Sequence, residues 1–130
     1  MQAVDTNVLL RALITDPSAP EQCARATAWV AAQAAIFVSQ IVQAELAWWL
    51  RKSPALVRAE TGQILHALAE HPSVHLLNAD AFAAALQHFD GGGDFADGLV
   101  IFEAQRVNAI LTTFDRKLSR LRGAQLLAAK

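Results

Sequence analysis

Short, wholly apolar runs alternate along this chain with longer stretches whose apolar residues recur at helical spacing. Ala3-Val4, ending at Asp5, reads as a short buried strand. Asp5-Thr6-Asn7 leads into Val8, Leu9, Leu10, Leu13 and Ile14, a helix beginning at one of those three cap-forming residues. Asp16-Pro17-Ser18 stops it, because the residue before a proline is pushed out of the α region. A second helix runs from Glu21 to Ala35, with Ala24, Ala28 and Ala31 at helical spacing. Ile36-Phe37-Val38 predicts a second strand, Ser39 an N-cap, and Gln40 to Lys52 a third helix carrying Glu45, Trp48 and Trp49. Ser53-Pro54 restarts the helical pattern, with proline in the tolerated first turn, and this pattern continues to Glu70.

His71-Pro72-Ser73 breaks the chain again, and Val74 to Leu77 forms a third strand. Asn78 caps a short helix over Asp80 to Phe89. A flexible Gly91-Gly92-Gly93 hinge then feeds Asp94 into a helix ending at Arg106. Ala109 to Thr113 is a fourth strand, Phe114 to Leu121 a short helix, and Ala124 to Leu127 a last edge strand. Short apolar strands alternating with helices predict an α/β sandwich, its mostly parallel central sheet flanked by helices. No repeat or linker divides residues 1–130, so one domain is expected.

Acids stand at the edges of these elements. Asp94 and Asp97 are three residues apart, and on a helix both carboxylates point the same way. Asp5 and Asp115 follow strand ends, and Glu45 lies about two turns into the helix after the second strand. Each has an ordinary structural reading. Asp5 and Asp115 can cap the helices that follow them. Asp94 and Asp97 can form an acidic variant of the capping box. Glu45 shares a stripe with Ile41, Trp48 and Trp49, where a salt bridge or a rim position would satisfy it. Jointly they read differently, because in an open parallel sheet functional groups collect outside the carboxyl ends of the strands. Three or four carboxylates within about 5 Å would repel by roughly 3 kcal/mol per pair at an effective dielectric of about 20, so such a cluster needs a cation. All-oxygen ligation selects Mg²⁺ or Mn²⁺ over zinc, and these ions suit phosphodiester hydrolysis.

Composition narrows the remaining classes. Hydrophobic residues make up 54% of the 130, too many for a disordered chain. Eleven Lys and Arg against twelve Asp and Glu leave a net charge of -1, so any contact with nucleic acid must be local rather than by bulk charge. Cys23 stands alone, which excludes a disulfide framework and a cysteine-rich zinc site. The N-terminus lacks the basic and apolar regions of a signal peptide, and charged residues interrupt every apolar run. A cytoplasmic protein without membrane contact is the expectation. No P-loop, GxSxG or HExxH pattern competes with the acids.

Four segments together carry a resemblance: Ala3-Val4-Asp5-Thr6-Asn7-Val8-Leu9-Leu10-Arg11, Ser39-Gln40-Ile41-Val42-Gln43-Ala44-Glu45-Leu46, Asp94-Phe95-Ala96-Asp97-Gly98-Leu99-Val100 and Leu111-Thr112-Thr113-Phe114-Asp115-Arg116-Lys117-Leu118. In their order and separations they resemble PIN-domain ribonucleases, in particular VapC-type toxins of toxin–antitoxin pairs. The resemblance implies a PIN-like sandwich and Mg²⁺- or Mn²⁺-dependent cleavage of RNA. It places the acidic set on Asp5, Glu45, Asp97 and Asp115, with Asp94 accessory. Asp5 and Asp97 would be the most direct metal ligands, and Glu45 and Asp115 would complete the negative pocket. Thr6, Asn7, Ser39 and Thr113 would orient the acids by hydrogen bonding. Gly98 departs from the pattern, where alanine is commoner, at a helix-propensity cost of about 1 kcal/mol. The resemblance also implies a cognate antitoxin lying across the site, and frequent homodimers, for which the apolar faces of Leu46, Trp49 and Leu50 offer contacts.

RNA would be held by Arg116, Lys117, Arg120 and Arg122, with Arg11, Arg51, Lys52 and Arg58 as further candidates; a solvated helix face is the plainer reading of each. Trp29, Trp48 and Trp49 read as core or interface anchors in preference to base-stacking platforms. His66, His71, His75 and His88 lack metal-ligand spacing and read as surface or satisfied residues. Two other classes remain. A phosphoacceptor receiver domain wants adjacent acids after the first strand, where Asp5-Thr6-Asn7 supplies one. A catalytically silent PIN-like binding module is argued against by the retention of all four main acids.

Overall fold

Strands of two or three residues give this fold its sheet, so the helices between them carry most of the packing. The computed structural model describes residues 1–127. Its elements are β1 (Gln2–Ala3), α1 (Thr6–Leu13), α2 (Pro20–Ala32), β2 (Ile36–Val38), α3 (Gln40–Lys52), α4 (Arg58–Glu70), β3 (Val74–Leu76), α5 (Ala79–Asp90), α6 (Phe95–Arg106), β4 (Leu111–Thr113) and β5 (Ala124–Leu126). Every strand pairing among the described residues is parallel: β1 with β2, β2 with β3, and β4 with β5. The order β1-β2-β3 leaves β2 central, and β4-β5 forms a separate ladder. The two inward-facing residues of β2, Ile36 and Val38, are fully buried. Leu46, Leu50, Leu65 and Phe82 close over them from α3, α4 and α5. This is the expected α/β architecture, a parallel sheet flanked by six helices.

Local chemistry explains where most elements start. Pro20 opens α2 at a position where its missing N–H costs nothing. The Ser39 hydroxyl accepts from Val42 N and caps α3, which covers the expected span from Gln40 to Lys52. Gln43, fully buried on α3, donates through Nε2 to Val38 O and Leu77 O, tying the carboxyl ends of β2 and β3 to the helix.

Other boundaries depart from the expected ones. The first strand is Gln2–Ala3, one residue earlier, and α2 stops at Ala32, with Gln33 as its cap and not Ala35. No helix begins at Ser53-Pro54. Ser53 instead ends α3, and α4 starts at Arg58, where Glu60 Oε1 accepts from Val57 N. Asn78 precedes α5 in the left-handed region at φ 54 and makes no side-chain cap; its amide donates to Gln40 Oε1 across the fold. The helix expected over Phe114 to Leu121 shrinks to a single 3₁₀ turn, Leu118–Arg120.

The glycine run is a hydrogen-bonded turn, not a hinge: Gly91, Gly92 and Gly93 donate to Gln87 O, Phe89 O and His88 O. A Cβ on Gly93 would lie 2.1 Å from His88 Nε2, so the missing side chain is what lets the imidazole pack there. Gly98 has a comparable role. A Cβ there would sit 2.8 Å from Ala85 Cα and 3.2 Å from Ala85 O, so glycine permits the close approach of α6 to α5.

Candidate active site

Capping chemistry fixes three of the five acids. Asp5 stands before α1, exposed, with Oδ1 accepting from Val8 N at 3.1 Å. Asp94 stands before α6, with Oδ1 accepting from Ala96 N at 2.7 Å and more weakly from Asp97 N at 3.4 Å. Asp115 lies two residues beyond β4, its Oδ1 accepting from Leu118 N at 3.0 Å and its own N–H donating to Thr113 Oγ1 at 3.0 Å. In each case one carboxylate oxygen holds a backbone turn and the other is left over. Glu45 is exposed on α3 and accepts the Thr6 hydroxyl at 2.8 Å, which joins the start of α1 to the middle of α3.

Asp97 is different. It lies in the first turn of α6, half-buried, and its side chain makes no hydrogen bond among the described residues. The reciprocal half of a capping box is therefore missing. Burial, and after it the negative charges of Asp94 and Asp115, raise its carboxyl above the ordinary value, with His88 acting in the opposite sense. Structural carboxylates under such pressure normally gain a cation. Here the only ion pairs among the described residues are Arg11–Asp16, His66–Asp90 and Arg106–Asp80, so all five acids of the site lack one.

The donor set suits a hard divalent ion: carboxylate oxygens pinned by backbone N–H groups, each with a free oxygen, and no sulfur. Among the described residues no three Asp, Glu, His or Cys side chains stand close enough to hold one ion directly. Asp94 and Asp115 both act on the charge of Asp97, and Thr6, next to Asp5, bonds Glu45; no three of these acids form a single chelate among the described residues. Asn7 is exposed beside Asp5, lining a cleft of about 580 Å³ with Arg11 and Trp29. Ser39 spends its hydroxyl on the cap of α3.

The basic residues divide. Arg116, Lys117, Arg120 and Arg122 are exposed and have no carboxylate partner among the described residues. Arg11 is committed to Asp16 at 2.5 Å and to Gln22 at 3.1 Å. Arg58 is held by Phe89 O and Gly93 O and stacks 3.9 Å over the Phe89 ring, so its first task is to fix the glycine turn. The pair Trp48 and Trp49 is half exposed, at 51% and 50%, whereas Leu46 and Leu50 are fully enclosed and offer no partner surface. Trp29 packs against the core.

His88, expected to be a surface or satisfied residue, stands beside the site. Its ring lies over Gly93, and it acts on Asp97 in the sense opposite to the neighbouring carboxylates. The available signal was the glycine five positions on, which reads as a hinge until the imidazole is seen to need the space.

Carboxylates at strand ends and a helix start of a parallel α/β fold stand where such folds place their functional groups. Residues 3–124 match the PIN domain family, nearly the whole chain, and the protein belongs to that family. Its members are mostly Mg-dependent nucleases. No curated protein matches the chain closely enough to count as a relative. Among the described residues no helix is long and apolar enough to cross a membrane.

Proposed function

We propose that this protein is a metal-dependent endoribonuclease, acting in the cytoplasm as the toxin of a toxin–antitoxin pair. The observation that carries the reading is Asp97, desolvated, crowded by Asp94 and Asp115, and without a cationic partner among the described residues. An acid whose carboxyl is raised by burial and by neighbouring carboxylates is one that a bound cation would favour in its ionised form. Asp5, Glu45, Asp97 and Asp115 would hold Mg²⁺ or Mn²⁺, some through water, which suits an ion that dehydrates reluctantly. When bound, the ion supplies charge neutralisation and an activated water for hydrolysis of an RNA phosphodiester. Asp94 and Asp115 stiffen the turns that present the acids, and the Thr6 hydroxyl orients Glu45. Arg116, Lys117, Arg120 and Arg122 supply the local positive charge that a net charge of -1 withholds from the whole. A cognate antitoxin and a second copy of the chain are the protein partners this reading carries.

A second reading is favoured by one fact, that no three potential ligands stand within chelating distance among the described residues. On it the domain binds RNA or protein without cutting. The test is cleavage of a mixed pool of structured cellular RNAs by purified, antitoxin-free protein with Mg²⁺, with Mn²⁺ and with chelator, alongside Asp97→Asn. Discrete fragments that vanish with chelator and in the variant are the expected outcome. Folded protein that binds the ion, as read by calorimetry, yet cuts nothing would move the balance to the silent domain.

A further inference from the structure

A small cleft opens between α3 and the turn that leads into α6. Its volume is about 250 Å³, and its walls are Trp48 and Arg51 from α3, Gly92, Gly93 and Asp94 from the turn, and Arg58. Trp48 lies one helical turn beyond Glu45, and Asp94 one turn before Asp97, so both walls run directly out of the acidic site. Two arginines and one carboxylate, Asp94, line the cleft. Arg51 is exposed and has no carboxylate partner among the described residues, and Arg58 is bonded only to carbonyls, which leave its charge uncompensated. Trp48 is 51% exposed, held from one side by Lys52 with Nζ 4.9 Å from the ring centroid and set edge-on to Trp49 at 4.9 Å. An indole kept half in water, with Lys52 over its ring and Arg51 on the same side of the cleft, suits a flat aromatic group attached to an anion.

We infer that this cleft is the subsite for one unpaired nucleotide flanking the scissile phosphate, its base against Trp48 and its phosphate on Arg51. The inference rests on the nuclease reading. A protein surface is a weaker fit, because a cleft of about 250 Å³ has room for a single base and not for a folded segment. The subsite selects single-stranded RNA, since a base in a duplex is already stacked.

The test uses the full chain in the Asp97→Asn background with Mg²⁺, so that RNA remains uncut, and follows anisotropy of a short, end-labelled, mixed-sequence single strand across salt. Trp48→Ala is expected to weaken binding about 5- to 100-fold, with Trp48→Phe retaining most of it. Arg51→Gln is expected to flatten the slope of log affinity against log salt by about 0.7, one phosphate's share for a single strand. In the cleaving background both raise KM and leave kcat nearly unchanged. Unchanged affinity and slope in a chain that still cuts RNA would overturn the subsite and leave the nuclease standing. A parent chain that neither binds nor cuts RNA would overturn both. Trp48→Ala that dissociates a dimer in sedimentation, with RNA affinity intact, would make this face an interface between proteins and overturn the subsite.

Discussion

The Thr6 hydroxyl donates to Glu45 Oε1 at 2.8 Å, across 39 positions of sequence, and it is the contact that links the acid before α1 to the acid on α3. Glu45 is exposed and has no ion-pair partner among the described residues, so this bond is what selects its rotamer. Thr6→Val removes the donor at nearly constant shape. The expected result is a loss of about 10- to 100-fold in Mg²⁺ affinity, the usual cost of removing an orienting partner, with Thr6→Ser recovering most of it. Cleavage rate against Mg²⁺ concentration reads it out. Equal metal dependence in Thr6→Val and the parent would remove Glu45 from the metal's surroundings.

Asp97 works against the fold that carries it. Its carboxyl is raised by burial first and by Asp94 and Asp115 next, so the folded state takes up the proton more readily than the unfolded one. Above the folded value the ionised group is therefore destabilising, and that penalty disappears as pH falls through it. Asp97→Asn keeps the shape without the charge. It is expected to melt higher than the parent at neutral pH, to lose that advantage as pH falls, and to be inactive. Mg²⁺ should raise the melting temperature of the parent and not of the variant. A variant that melts lower at neutral pH would mean that Asp97 is held by a partner the fold needs.

Gly98 is where the sequence and the structure assign opposite signs. By helix propensity alone, Gly98→Ala gains about 1 kcal/mol. The new Cβ would lie 2.8 Å from Ala85 Cα and 3.2 Å from Ala85 O, and these are backbone atoms that no side-chain rotation can move away. Overpacking of this kind costs about 1–3 kcal/mol, so net destabilisation is expected in urea unfolding. Activity should fall as well, because Asp97 is the preceding residue and moves with the helix. A stabilised, fully active Gly98→Ala would show that α5 and α6 separate freely.

The regular elements were legible because their signals are local. Ile36 to Val38 is wholly apolar, Ser39 is a cap, and the following periodic stretch becomes α3 with both ends where expected. Ser53-Pro54 misled because a serine before a proline reads equally as the end of one helix or the start of the next, and the hydrogen bonds of Ser53 with Leu50 O and Trp49 O decide for the end. Phe114 to Leu121 misled because Asp115 is a sound cap, its carboxylate accepting from Leu118 N, but the backbone bonds that follow close only the short 3₁₀ turn Leu118–Arg120. The acids were legible as residues at element edges. What sequence spacing could not supply is which carboxylates crowd Asp97, and that His88 stands beside them, since both depend on how closely α5 approaches α6 through Gly93 and Gly98.

Capping and metal binding compete as explanations of Asp5, and one pair of substitutions separates them. Asp5 Oδ1 accepts from Val8 N, a bond that a serine hydroxyl at the same position can replace. Asp5→Ser therefore preserves the cap and removes the charge and the free oxygen. If Asp5 is a cap alone, Asp5→Ser should be stable and active, and Asp5→Ala should lose about 1 kcal/mol with activity in proportion to the folded fraction. If Asp5 is a ligand, both variants are inactive, and only Asp5→Ala is also destabilised. The second pattern is expected here, read by thermal melts beside RNA cleavage at saturating Mg²⁺. The same exchange at Asp94 calibrates it. Asp94→Ser keeps a cap on α6 and relieves Asp97 of its neighbouring charge, so stability should hold while cleavage falls only in part. Complete loss of cleavage in Asp94→Ser would promote that acid from support to ligand.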